Sequence, residues 1–288
     1  MSLPDLLSNP DVEKRIREAL AEDLGPEAVD VTSDALVPEG RPAKAYLVAR
    51  QTGVLAGATV AAGVFRHVDD TLDITDGMSD GCPMEHGDVV LTISGSARSI
   101  LVAERTALNF IQRMSGIATL TRRYVDEANN PDVQLLDTRK TTPTLRPFEK
   151  YAVLCGGGTN HRMGLYDMAM LKDNHLAYWA ENHDSGIRGA VQAVRERFPD
   201  RQVEVEVDTV EQLDEVLPAK PDWVLLDNMP PLTLRECVKR CRGICKTEAS
   251  GGVSLDTIRE IAKTGVNAVS VGALTHSAPS ADLALDWA

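Results

Sequence analysis

Cations able to grip an anion gather in one stretch of this chain. Arg139, Lys140, Arg162 and Lys172 lie there, with His161 beside Arg162 and Arg105 upstream. A guanidinium binds carboxylate or phosphate through two parallel N–H donors, and an ammonium adds a point charge. Between Asp137 and His175 six Lys/Arg face four Asp/Glu, so this stretch is +2 in a chain of net charge −13. A basic island in an acidic protein draws a small anion into a focused positive field. Further on, Glu204 and Glu206 stand two apart, on one face of an extended strand, and Asp227 closes the next apolar run. Glu206 and Asp227 can only accept; they suit sugar hydroxyls or a hard divalent cation such as Mg²⁺. Ser250-Gly251-Gly252, ahead of a helix expected near Ser254, offers bare amides to a phosphate. Val271-Gly272-Ala273 supplies the neighbouring loop, as the last two strands of barrels often do. Polyanion, sugar diol, phosphate and Mg²⁺ together indicate a phosphorylated sugar. The residues alone leave the reaction undecided.

The elements that must position these groups follow from periodicity. Asn9-Pro10 is a helix start, with a capping side chain and proline at the first helical position. Val12, Ile16, Ala19 and Leu20 follow at helical spacing towards Gly25. From Lys44 to Ala97 the pattern is strand-like and turn-rich. A helical stretch over 99–128 is expected to break near Ser115-Gly116. Beyond residue 130, short apolar strands (133–136, 169–171, 203–207, 223–226, 245–249, 268–271) alternate with amphipathic stretches at 187–198, 210–217, 232–242 and 255–263. That alternation means βα units and a parallel sheet. Six or seven strands in about 150 residues suit an incomplete α/β barrel better than a full eightfold one. The reactive groups then fall at the C-terminal ends of the strands, where such barrels keep their chemistry.

Composition narrows the remainder. The chain has 288 residues, 43% of them apolar, enough for a sizeable core. Its acidity argues against nucleic acid, whose phosphates need a basic face. No apolar run approaches the roughly 20 residues of a membrane span, and the first ten residues lack the basic and apolar regions of a signal peptide. A cytoplasmic location is expected. Five cysteines, an odd number, argue against a disulfide framework. Cys237, Cys241 and Cys245 invite a metal reading, but core packing is the better one, with Cys245 on a strand after Gly243. Gly156-Gly157-Gly158 lacks the spacing of a dinucleotide loop, and no phosphate-binding P-loop motif occurs. His67, His86 and His183 have no recognisable partners, and His276 is balanced between site and structure.

At these residues the chain resembles the quinolinate phosphoribosyltransferase family. The matching segments are Glu104-Arg-Thr-Ala-Leu-Asn109, Ser115-Gly-Ile-Ala-Thr119, Asp137-Thr-Arg-Lys-Thr-Thr-Pro143, Lys150-Tyr-Ala-Val153 and Asn160-His-Arg162. Lys172-Asp-Asn-His175, Glu204-Val-Glu206, Leu226-Asp-Asn228, Ser250-Gly-Gly252 and Ser270-Val-Gly-Ala-Leu-Thr-His-Ser277 follow in family order. The resemblance implies an N-terminal α/β sandwich (1–113) and an open α/β barrel of the type II phosphoribosyltransferase kind (114–275). The tail, 276–288, would return to the first domain. It implies a homodimer in which Arg105 of one subunit reaches the other's site. Arg139, His161, Arg162 and Lys172, with Thr138, would hold the two quinolinate carboxylates, and Lys140 would lie between the substrates. Glu206 and Asp227 would take ribose hydroxyls and Mg²⁺, with no organic cofactor. Ser250–Gly252 and Val271–Ala273 would hold the 5′-phosphate. One departure stands out: Thr144 occupies a position where many members have glycine. A threonine resists φ > 0, so a different loop conformation is expected there.

The implied chemistry is phosphoribosyl transfer from phosphoribosyl pyrophosphate to quinolinate with decarboxylation, Lys140, Lys172, Glu206 and Asp227 carrying the reaction. A paralogue with another acceptor, such as nicotinate, would need fewer carboxylate-binding cations. A non-catalytic barrel that senses a phosphorylated metabolite would tolerate loss of Glu206, Asp227 or a lysine, and all are present.

Overall fold

The computed structural model describes residues 6–288; the start of the leader reading and of the first domain, residues 1–5, lies outside the described residues. In chain order the first elements are α1 (Pro10–Leu24), α2 (Val31–Leu36), β1 (Pro42–Ala49), β2 (Gly53–Val54), α3 (Ala58–Val68), β3 (Asp73–Asp76), β4 (Pro83–Met84), β5 (Val89–Ser96) and α4 (Ala97–Ala128). Then come β6 (Gln134–Leu136), α5 (Arg146–Cys155), β7 (Ala169–Leu171), α6 (Asp173–Asn182), α7 (Gly186–Arg197), β8 (Val203–Val207) and α8 (Val210–Val216). The last are β9 (Trp223–Asp227), α9 (Pro231–Cys241), β10 (Lys246–Ser250), α10 (Ile258–Ala262), β11 (Ala268–Ser270), α11 (Ala273–His276) and β12 (Leu283–Trp287). They form two compact units. One comprises the chain to residue 122 with 141–157 and 273–288; the other comprises 123–140 and 158–272.

The first unit is built on an antiparallel sheet of order β12-β1-β5-β3. Leu47 of β1 faces Leu285 on one side and Leu91 on the other, and the alternate residues Ala45, Leu47 and Ala49 are all buried. Val48 is buried too, at a register shift, so the alternation expected of a sheet with one face against a core holds only up to Leu47. Helix α1 starts as expected, Asn9 Oδ1 accepting from the Asp11 N–H at 3.0 Å, and it buries Val12, Ile16 and Leu20. Helix α3 departs from the strand-like reading of residues 44–97. Its run Ala58-Thr-Val-Ala-Ala-Gly-Val-Phe65 is buried on nearly every side, so it shows no helical stripe. Its capping oxygen is remote: Asp80 Oδ1 accepts from the Ala58 N–H at 2.9 Å. Neither signal was local.

Helix α4 also corrects an expectation, because it runs unbroken through Ser115-Gly116. Ser115 Oγ accepts from the Ala56 N–H at 3.0 Å and donates to the Ala56 carbonyl at 3.1 Å. A Cβ on Gly116 would stand 1.9 Å from the Pro279 carbonyl oxygen. The pair is there for close approach of two backbones, not to stop a helix. Gly116→Ala is therefore expected to destabilise by about 2 kcal/mol despite alanine's better helix propensity, read as a lowered urea midpoint.

The second unit carries six parallel strands in the order β6-β11-β10-β9-β8-β7. Helices separate most consecutive strands, which is the βα alternation read from the sequence. Among the described residues β6 and β7 are the two ends of that order and do not pair with each other, so the barrel is open; the outer side of β6 is bridged by Thr159. Two boundaries move. Strand β10 begins at Lys246, so Cys245 precedes it, its N–H on the Cys241 carbonyl. Helix α10 begins only at Ile258, after a turn accepted by the Ser254 carbonyl. Among the described residues no helix is long and apolar enough to cross a membrane.

Candidate active site

Side chains pin several of the strand ends of the second unit. After β6, the fully buried Asp137 accepts the His161 N–H at 2.9 Å, tying two loops together. Thr138 Oγ1 accepts the Lys140 N–H at 3.0 Å, a local turn that sets Arg139 and Lys140 side by side. After β7, Lys172 stands at the head of α6 and donates its N–H to His175 Nδ1 at 3.0 Å. The histidine of the Lys-Asp-Asn-His segment thus shapes the backbone under the lysine. Lys172 Nζ pairs with Glu206 of β8. At the end of β9, Asp227 accepts from Asn228 Nδ2 at 2.6 Å, and the Asn228 N–H donates to the Ser250 carbonyl at 2.8 Å.

These ends enclose a cavity of about 450 Å³. It is lined by Thr138, Arg139, Lys140, His161, Arg162, Lys172, Glu206, Asp227 and Ser250, all expected from the sequence, and by Met170, Leu225, Glu248 and Ser270. Cations and acceptors share one concavity, so an anion and a polyol could lie against each other within it. Burial lowers the pKa of Arg162, and repulsion from Arg139 lowers it further. Two guanidinium groups that repel one another make a site that an anion stabilises.

Other expected residues lie elsewhere. Arg105 is on α4, in the first unit. Gly251 and Gly252 follow β10 at φ +90° and +60°, where Gly251 has no room for a side chain because Asn228 Oδ1 would be 2.2 Å from its Cβ. The expected helix N-terminus is not directly behind them, since α10 starts six residues later. The N–H of Val271 is committed to the Leu136 carbonyl at 2.9 Å, within the sheet. Gly272 follows, and Ala273 opens the four-residue α11. His276 is exposed, its Nδ1 2.7 Å from Ser277 Oγ.

Thr144 overturns its expectation. It adopts φ +69°, the left-handed region that a β-branched residue enters at a cost of about 1–2 kcal/mol. Its neighbours hold it there: Thr142 donates its N–H and hydroxyl to Glu149 at 3.0 and 2.8 Å, and the Leu145 N–H donates to the Thr142 carbonyl at 3.1 Å. Thr144→Gly should relieve that strain and, after glycine's larger unfolded-state entropy, raise stability by about 0.5 kcal/mol in urea unfolding. A loss of stability would contradict the strained assignment.

Sequence reasoning placed Glu204 beside Glu206 without giving it a role, and missed Glu248. Both are buried, and His161 Nε2 lies 3.4 Å from Glu204 Oε2 and 3.2 Å from Glu248 Oε2. The available signal was strand parity: Glu248 is two residues before Ser250, on the same face of β10. Burial pushes the Glu204 pKa up, to about 7. Burial also presses the His161 pKa down, but the two glutamates outweigh it and hold it at about 9. Both shifts mean that the cluster retains a proton. Nδ1 accepts the Arg162 N–H at 2.7 Å and so keeps its lone pair, which leaves the neutral ring's one proton on Nε2, facing the carboxylates. The additional proton that the cluster retains then belongs to the buried Glu204 carboxyl rather than to the ring. The three side chains could converge on a metal, but a metal on Nε2 would leave a proton on Nδ1, pointing at the Arg162 N–H. That opposes a metal there.

Residues 30–115 match the model of the quinolinate phosphoribosyl transferase N-terminal domain, and residues 117–286 that of its C-terminal domain. The chain is 43% identical over 276 residues to a nicotinate-nucleotide pyrophosphorylase (carboxylating) of Mycobacterium leprae, covering 94% of this chain and 95% of that protein. It is 42% identical to a chloroplastic protein of the same name from Arabidopsis thaliana, covering 96% and 82%. The solved nicotinate-nucleotide pyrophosphorylase of Francisella tularensis superposes with a TM-score of 0.90 at 36% identity, over the whole of both chains.

Proposed function

The chain belongs to the quinolinate phosphoribosyl transferase family, and on that premise we propose how its own residues carry out the family's reaction. The enzyme transfers the phosphoribosyl group of phosphoribosyl pyrophosphate to the ring nitrogen of quinolinate, releasing pyrophosphate and carbon dioxide and leaving nicotinate mononucleotide, a step of NAD biosynthesis. The observation that carries the residue assignment is the cavity shared by Arg139, Arg162 and Lys172 with Glu206 and Asp227.

Quinolinate is a dianion with adjacent carboxylates. Arg139 and Arg162 take them in bidentate fashion, relieving their mutual repulsion, and Lys172 adds a third charge. Lys172 pairs with Glu206 and turns to the substrate when an anion competes. Clamped carboxylates orient the ring nitrogen towards the ribose carbon. Glu206 and Asp227 accept from the ribose hydroxyls, and their hard oxygens also suit Mg²⁺, directly or through water. Mg²⁺, when bound, neutralises charge on the departing pyrophosphate. Lys140, set next to Arg139 by Thr138, does the same from the protein side. Ser250, Gly251 and Gly252, with Gly272 and Ala273, receive the 5′-phosphate; Val271 serves the sheet. The nitrogen that has attacked is cationic, and it withdraws electrons from the adjacent ring carbon, so that its carboxylate leaves as carbon dioxide. No side chain need form a covalent bond. In the same reading a second copy of the chain supplies Arg105, making the site complete only in a homodimer, and the enzyme works in the cytoplasm.

The test is an assay of purified protein with quinolinate, phosphoribosyl pyrophosphate and Mg²⁺, following nicotinate mononucleotide and carbon dioxide together, with nicotinate as parallel acceptor. Equal amounts of both products from quinolinate, and none from nicotinate, are expected. Turnover of nicotinate alone would reassign the acceptor, because one carboxylate leaves part of the cation set unmatched.

A further inference from the structure

Deeper in the barrel than the substrate cavity lies a second one, of about 270 Å³. Its lining includes Gln134 and Trp223, the first residues of β6 and β9, which places it towards the N-terminal ends of the strands. His161, Arg162 and Glu248 line both cavities, and Glu204 lines only the lower one. Two buried glutamates are expensive there: neither oxygen of Glu204, nor Oε1 of Glu248, has a hydrogen-bond partner, so Glu204 meets His161 as a close polar contact at 3.4 Å while Glu248 Oε2 lies nearer, at 3.2 Å. Such a cost in the core suggests a task beyond packing.

We propose that Glu204 and Glu248 are positioning residues for quinolinate: they fix the imidazole of His161, and His161 fixes the arginine that grips a substrate carboxylate. The linkage is continuous. The carboxylates hold Nε2 at 3.4 and 3.2 Å. Nδ1, on the far side of the same rigid ring, accepts the Arg162 N–H at 2.7 Å. The Asp137 carboxylate holds the backbone at His161. Arg162 Nη1 donates to the Met168 carbonyl at 3.0 Å, and its guanidinium lines the substrate cavity. If the imidazole turns, the Arg162 amide loses its acceptor and the guanidinium its fixed origin. A bidentate contact tolerates little such play. Phosphoribosyl pyrophosphate, held by other loops, should not register the change.

The proposal rests on the quinolinate reading above, and the experiment separates the two. Glu248→Gln and Glu204→Gln are assayed with each substrate varied in turn, and quinolinate affinity is measured directly by calorimetry. Each variant is expected to raise the KM and Kd for quinolinate: Glu248→Gln about tenfold, the cost of roughly one hydrogen bond to a charged group, and Glu204→Gln by less. The KM for phosphoribosyl pyrophosphate should stay within twofold. In a His161→Asn background, where the amide can still accept from Arg162 but the Nε2 arm is gone, adding Glu248→Gln should cost less than twofold. Equal shifts for both substrates, no shift, loss of folding in both single variants, or full additivity with His161→Asn would each overturn the positioning role. A wild-type protein that neither binds nor turns over quinolinate would overturn the functional reading, and this proposal with it.

Discussion

Arg139→Ala is expected to lower kcat/KM for quinolinate by about a thousandfold. Truncating one partner of a buried, hydrogen-bonded charge pair costs 2–5 kcal/mol or more, and a thousandfold is about 4 kcal/mol of that. Arg139 is exposed on its own chain; the bidentate grip on a dianion that covers it on binding justifies the upper part of the range. Arg139 shares its cavity with Arg162, and the repulsion between them shows that they address one region of space. A dianion bound there loses half its clamp when either is removed, and the ring nitrogen then loses its line of attack. The loss should therefore fall on kcat as well as on KM. Affinity for phosphoribosyl pyrophosphate should change little, because Glu206, Asp227 and Ser250 are untouched. Arg139→Lys should recover only part of the activity, since an ammonium lacks the two-pronged geometry. A loss below tenfold, or an equal loss with both substrates, would remove Arg139 from the carboxylate clamp.

The site was more legible than the fold around it. Residues at strand ends declare themselves by type: Arg139, Lys140, Lys172, Glu206 and Asp227 are costly side chains next to short apolar runs, and all five line one cavity. The parallel strands were legible for the same reason, with β7 and β8 falling on the expected residues. What escaped depended on distant partners. Helix α3 is capped by Asp80, 22 residues away in sequence, and is too evenly apolar to show a stripe. Gly116 reads as a break until Pro279 is seen against it. Thr144 enters the left-handed region because Glu149 grips Thr142 two residues before it. Glu248 could have been found by counting back two from Ser250, but its partner His161 lies 87 positions earlier, and only the fold brings them together. The recurring failure is one of range, since local patterns report propensity and only tertiary contacts override it.

Glu149 is also the centre of the prediction with the largest effect on stability. Its carboxylate is 1% exposed and is surrounded by donors. Arg113 of α4 approaches it through Nε at 3.2 Å and Nη2 at 2.9 Å, while Thr142 adds its N–H and hydroxyl. The same guanidinium donates to the carbonyls of Thr275 and Ala278, so one side chain ties α4 to α5, to the 141–145 loop and to the segment ahead of β12. Arg113→Met keeps much of the side-chain volume but removes every one of these donors. It leaves a buried carboxylate facing two neutral ones, and breaking a buried pair in this way costs about 3–5 kcal/mol. At roughly 2–4 °C per kcal/mol for a chain of this size, thermal unfolding of the first unit should begin about 10 °C lower. The double variant Arg113→Met with Glu149→Gln should recover more than half of that loss, because the stranded charge is gone. If Arg113→Met alone unfolds within 3 °C of the wild type, Arg113 is a solvated surface cation and Glu149 is satisfied by Thr142. If the double variant is no better than the single, what was lost is the grip on the Thr275 and Ala278 carbonyls rather than the neutralisation of Glu149. The two arms thus separate charge from tether.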